Sequence, residues 1–145
     1  MRQRPAEGED PIVVPTTILA TVADDPPVPL PAELRYTAAD PYAVCLSLGA
    51  HSAVPVDWVF ARSLLADGVR RPTGSGDVVV IPGPRCHPDT VRVLLRTRNG
   101  AAVLDVATRD VSAFLHRADA LVPPGTEQRH IDLDHVVERL TAGIE

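Results

Sequence analysis

The chain has 145 residues, 45% hydrophobic and 23% charged, a mean hydropathy of +0.04 and a net charge of −5, which suits one soluble domain burying roughly 70% of its unfolded surface. Apolar runs such as Val78 to Ile81 fall far short of the roughly 20 residues of a membrane span, and MRQRPAEGED lacks the apolar core of a secretory signal, so a cytoplasmic protein with Cys45 and Cys86 reduced is expected. The acidic balance and an aromatic content of 3% disfavour nucleic acid, which calls for a basic, phosphate-tracking surface and stacking rings.

Residues 1–11 read as a flexible polar head and residues 12–145 as a single domain. The β-branched run IVVPTTILATV, residues 12–22, suggests a strand interrupted or started at Pro15, whose missing N–H bars a central position. The stretch DDPPVPLP, residues 24–31, is expected to be a semi-rigid connection, since its prolines fix φ. Between Tyr42 and Leu48 a period of two places Tyr42, Val44, Leu46 and Leu48 on one face of a half-buried strand. Val54, Val56, Trp58 and Phe60 repeat that period. Ser63 is then the expected N-cap of a short helix LLAD that Gly68 ends in the left-handed region, although a helix starting at Asp57 fits the same residues.

A strand at Val78 to Ile81 precedes a hairpin centred on Asn99-Gly100, a dipeptide suited to a type I′ turn. That turn sets Arg98 opposite Ala101, Leu95 opposite Leu104 and Val93 opposite Val106. One face then carries Val91, Val93, Leu95, Thr97, Ala102, Leu104 and Val106, and the other carries Arg92, Arg96, Arg98 and Asp105. Next comes an amphipathic helix with the stripe Val111, Phe114, Leu115, Ala118, Leu121 and Val122, stopped by Pro123-Pro124-Gly125. A second tail helix is expected from about Leu133, capped by Asp132 or Asp134. Strands followed by helices, without βαβ alternation, predict an α+β fold: a mainly antiparallel sheet, a short middle helix and two C-terminal helices.

Reaction chemistry is poorly represented. The segment Arg70, Arg71, Pro72, Thr73, Gly74, Ser75, Gly76, Asp77 offers glycines beside arginines, yet it lacks the lysine and spacing of a P-loop and is not a G-x-S-x-G elbow. It reads as a turn into the next strand that can also contact a partner, so Arg70, Arg71, Pro72, Thr73, Gly74 and Gly76 are partner-binding candidates. A β-branched residue in place of Gly74 or Gly76 is expected to be strained if that glycine holds positive φ. Arg92, Arg96 and Arg98 form either a platform for an acidic partner or a solvated face with Asp105 as counter-charge. Trp58 and Phe60 read as core or subunit interface. Cys86-His87 and His130, Asp132, Asp134 lack the repeated spacing of a metal site, and no cofactor is expected. Apolar residues on both faces of the strands, more than the helices can cover, predict self-association.

Three stretches in combination carry a resemblance: LRYTAADPYAV at 34–44, VDWVFARSLLADGVRRPTGSGDVVVIP at 56–82 and SAFLHRADALVPPGTEQRHIDLD at 112–134. Together they are similar to the SsgA-like proteins, the sporulation and cell-division regulators of filamentous actinomycetes. The resemblance implies a non-enzymatic adaptor at the division septum that helps place or activate septum or wall-remodelling machinery. It also implies as partner a division protein such as the tubulin-like FtsZ or another SsgA-like protein, a bell-shaped homotrimer, and a fold similar to the whirly type. That last similarity alone motivates an alternative reading as a single-stranded nucleic-acid-binding protein, against which the acidic balance counts. The proline-rich head through Pro29 and GPRCHPDT at 83–90 depart from the family's pattern.

Overall fold

The computed structural model describes residues 11–49, 55–86, 88–98 and 100–131. The expected loose head, apart from Pro11, and the expected second tail helix lie outside them. The described elements are β1 (Ile12–Val22), β2 (Val28–Tyr36), β3 (Ala43–Leu48), β4 (Val56–Ala61), α1 (Arg62–Gly68), β5 (Val78–Pro82), β6 (Thr90–Thr97), β7 (Gly100–Ala107), α2 (Thr108–Leu121) and a 3-10 turn at Glu127–His130. The strands form one seven-stranded antiparallel sheet in the order β4-β3-β2-β1-β7-β6-β5, curled into a half-barrel. The α+β class and the short middle helix are as expected from sequence; among the described residues one α-helix, rather than two, follows the sheet.

Alternation along each strand sorts the sheet into two faces. Ile12, Val14, Ile18, Leu34, Val44, Leu46, Val91, Val93, Leu104 and Val106 point to the core, where α2 adds Val111, Phe114 and Ala118. The stripe expected of α2 is therefore the one it buries. Thr16 Oγ1 donates to the Asp110 carboxylate at 2.7 Å, tying the first turn of α2 to the centre of β1.

The prolines lie where the sequence alone does not place them. Pro29 and Pro31, expected in a connection, lie inside β2, and β1 runs unbroken through Pro15. The Pro31 carbonyl accepts the Gly49 N–H at 2.8 Å, so the backbone of Pro31 faces away from β1. Thr17↔Pro31 is thus a non-hydrogen-bonded pair, and by alternation so are Pro15↔Glu33 and Leu19↔Pro29. Each proline sits where β1 and β2 exchange no bond. Pro15 also precedes Ile18, where pairing with β7 starts, so no ladder loses a donor.

The β6–β7 hairpin keeps its expected faces but not its expected register. Thr97 pairs with Gly100, Leu95 with Ala102 and Val93 with Leu104. Relative to a turn centred on Asn99-Gly100 the partners move by two residues, and an even shift leaves every side chain on its face. Gly68 differs too. The residue after α1, Val69, is right-handed and N-terminal capping falls to Ala61 rather than Ser63. A Cβ on Gly68 would stand 2.3 Å from Val80 Cγ1, so close approach of α1 to β5 requires the glycine.

Candidate functional site

The most heavily bonded polar group is Arg62, a residue on which sequence reasoning placed no role. Parity explains its direction: Trp58 and Phe60 point inward along β4, and Arg62 continues that side as α1 begins. Its backbone N–H donates to Tyr42 O at 2.7 Å. The side chain, 5% exposed, carries its guanidinium to the end of α2. There Nη1 donates to Val122 O at 2.7 Å, with longer bonds of 3.4 Å to Ala118 O and Asp119 Oδ1, while Nη2 donates to the Glu127 carboxylate. The Tyr36 ring lies 5.2 Å from the guanidinium carbon, and the Tyr36 hydroxyl donates to Pro41 O at 2.9 Å. One cation thus caps the Val122 carbonyl just past α2, adds a longer bond to the Ala118 carbonyl that already accepts the Val122 N–H, and neutralises two carboxylates. The Glu127 carboxyl is held below its ordinary range by its own backbone N–H, by Arg62 and by the Gly125 N–H. Burial pushes the Tyr36 phenol up.

The arginine-bearing candidates lie elsewhere, along β5 and the hairpin. Arg70 and Arg71 are exposed just past α1, both donating backbone N–H groups to Asp67 O at 3.0 Å. Beyond the exposed Pro72, Thr73 pairs with Val80 through bonds of 2.8 and 2.9 Å, so this loop runs along the outer edge of β5. Gly74 holds φ at +109°, whereas Gly76 is not among the positive-φ glycines and has open space around it. Asp77 O accepts the Arg96 N–H at 2.8 Å, which brings the end of the loop against the hairpin. Arg92 is bound to Asp105 across the strands through Nε at 2.8 Å and Nη2 at 3.2 Å, and that bond raises its pKa. Arg96 and Arg98 are exposed and form no ion pair among the described residues.

Of the two aromatic candidates, Phe60 is buried in the core and Trp58 is half-buried at its margin. The opposite face of the sheet leaves Val13, Leu19 and Val59 exposed. A hollow of about 660 Å³ opens there, with Thr17, Leu19, Pro29, Ala107 and Arg109 among its lining residues. Cys45 and Cys86 are free thiols, and burial raises the pKa of Cys45. No described helix is long and apolar enough to cross a membrane.

What the fold presents is an antiparallel sheet with exposed arginines at its hairpin and exposed apolar side chains on the face away from the core. Comparison with known proteins gives that fold a lineage. Residues 30–127 match the family model described as Streptomyces sporulation and cell division protein, SsgA. The chain is 46% identical to the sporulation-specific cell division protein SsgB of Streptomyces coelicolor over 83% of this chain and 88% of that protein. Against SsgB of Kineococcus radiotolerans it is 47% identical over 81% of this chain and 72% of that protein. Among solved structures, an SsgA-like sporulation-specific cell division protein from Thermobifida fusca superposes with a TM-score of 0.80 at 36% identity, covering 90% of this chain and 96% of that one. A Streptomyces coelicolor SsgB structure gives 0.76 at 42% identity, covering 84% and 96%. The chain belongs to the SsgA family of non-enzymatic sporulation and cell-division proteins, and is SsgB-like within it.

Proposed function

We propose that this protein is an adaptor in sporulation-specific septation, working at the cytoplasmic side of the division septum by binding and not by catalysis. The observation that carries the reading is coverage: the SsgB of Streptomyces coelicolor is matched over 88% of its length, so nearly the whole of that division protein has a counterpart here. The partner is a division protein such as FtsZ or another SsgA-like protein. It docks on the surface where the loop bearing Arg70, Arg71, Pro72, Thr73, Gly74 and Gly76 meets the hairpin bearing Arg92, Arg96 and Arg98. The test is a fluorescent fusion in sporulating hyphae: a ladder of septal bands supports the adaptor, and diffuse signal throughout the hypha contradicts it.

The protein acts as a homotrimer. Support comes from exposed Val13, Leu19 and Val59 on the face of the sheet away from the core, since a cyclic assembly covers such surface by repeating one heterologous contact. Trp58, half-buried, has area left for a subunit contact, whereas Phe60 has little. Light scattering coupled to size exclusion at micromolar concentration tests this, and a monomer mass contradicts it.

A further inference from the structure

The two edges of the sheet are not alike. On β5 the loop residue Thr73 already occupies the edge, exchanging both backbone bonds with Val80. On β4 the outward groups can be assigned by alternation. Because Gly49 bonds to Pro31, the odd-numbered residues of β3 face β2 and its even-numbered residues face β4. Val44↔Phe60, Leu46↔Trp58 and Leu48↔Val56 are therefore the hydrogen-bonded pairs of β3 with β4. The Arg62 N–H, donated to Tyr42 O, extends the same series. The N–H and C=O groups of Asp57 and Val59 and the N–H of Ala61 consequently point off the sheet, and no backbone partner for them occurs among the described residues, whereas the Ala61 carbonyl, at the N-cap, opens the bonding of α1.

Natural edges are usually blunted by proline, lysine, a bulge or a covering segment. The β4 sequence VDWVFA has no proline or lysine, and it pairs with β3 without a bulge. Its side chains are also apolar on both faces: Val56 is 52% and Val59 63% exposed, with half-buried Trp58 between them. Its one charge is Asp57, which is exposed and has no basic side chain within ion-pair distance among the described residues. We propose that the open edge of β4 accepts, as an added antiparallel strand, an extended segment of a partner protein in which apolar and basic side chains alternate.

The register makes the partner's chemistry specific. Residues that exchange bonds with Asp57 and Val59, and the one whose carbonyl accepts the Ala61 N–H, carry their side chains on the face where Asp57 stands, so basic residues belong there. The residues between them fall opposite Val56, Trp58 and Phe60 on the core side and call for apolar side chains. A second copy is the poorer occupant, because its β4 would bring the same carboxylate and no basic group. Strand addition of this kind takes affinity from main-chain bonds and selectivity from alternate side chains. The proposal is independent of the arginine surface described above.

The test uses the full chain and a short capped peptide alternating valine and arginine, with two versions N-methylated either at every arginine amide or at every valine amide. Amide exchange read by NMR should slow at Asp57, Val59 and Ala61 when the parent peptide is added. The valine-methylated version should bind like the parent, and the arginine-methylated version should not bind. Asp57→Asn should weaken binding several-fold. Val59→Pro should abolish it while leaving the thermal midpoint close to that of the parent chain, because the lost N–H faces outward. Equal binding of the two methylated peptides, slowed exchange elsewhere only, or full protection of these amides in the free chain would each overturn the proposal.

Discussion

Two regions of the molecule use arginine in opposite ways. At the corner where β4 turns into α1, Arg62 is 4% exposed and holds carbonyls and carboxylates from α2 and the Glu127 turn. On the outer face of the hairpin, Arg92 meets one carboxylate in part-exposed surroundings, and Arg96 and Arg98 meet none among the described residues. The difference teaches that burial and the number of dependent groups decide what an arginine contributes to folding. Arginines with few dependents are the ones left available to a partner.

Removing the buried cation should do most damage. Arg62→Ala leaves the Val122 carbonyl without its donor and takes the charged donor from Glu127, which keeps the Gly125 N–H, and a loss of about 3 kcal/mol in urea unfolding is expected. Replacing Arg62 and Glu127 together by methionine should recover part of that loss, because the half-buried Glu127 charge goes with its partner. If Arg62→Ala unfolds like the parent chain, the contrast between the two regions fails.

The loop that joins the regions offers an internal control. Gly74 holds φ at +109°, and a Cβ there would stand 2.6 Å from Val78 O, whereas nothing lies within 4 Å of a Cβ on Gly76. Gly74→Val should cost more than about 1 kcal/mol, and Gly76→Val should stay within about 0.5 kcal/mol. Thermal melts of the pair check this.

Acid titration sharpens the account of the Arg62 corner. The Glu127 carboxyl titrates below its ordinary value in the folded chain, so the unfolded chain binds its proton first as pH falls. The contribution of Glu127 is whole above about pH 4.5 and fades as pH drops through the lower, folded value. Unfolding midpoints of the parent and Glu127→Gln should therefore differ by a constant amount from neutrality to that point and converge below it. A gap that widens on acidification contradicts the assigned sign.

The smallest effect belongs to the hairpin. Arg92→Ala should cost about 0.2–1 kcal/mol, less at high salt, because its pair with Asp105 is partly in water. Arg96→Ala should leave stability unchanged within error while weakening binding of a division partner. Parallel urea and pull-down measurements separate the two.

Much of this architecture is legible in residue order, because periodicity is a local signal. The inward series Val91, Val93, Leu95 and the stripe Val111, Phe114, Ala118 follow from spacing alone. The hairpin register differs by two residues from the sequence expectation because Asn-Gly favours a turn centred on itself, while the strands close at Thr97↔Gly100. Pro29 and Pro31 read as breakers because proline lacks a donor, and only the pairing pattern reveals positions where no donor is needed. Arg62 stayed hidden for a different reason. Its partners lie 56 to 65 positions away, and the one local clue was inward parity after Trp58 and Phe60.

The central claim, that this SsgB-like chain serves sporulation septation by binding, is tested most directly by deleting it from its host and restoring either the parent chain or Arg96→Ala/Arg98→Ala. The account predicts aerial hyphae without sporulation septa in the deletion, full rescue by the parent, and poor rescue by the double variant at equal protein abundance. Regular septa in the deletion strain would contradict it.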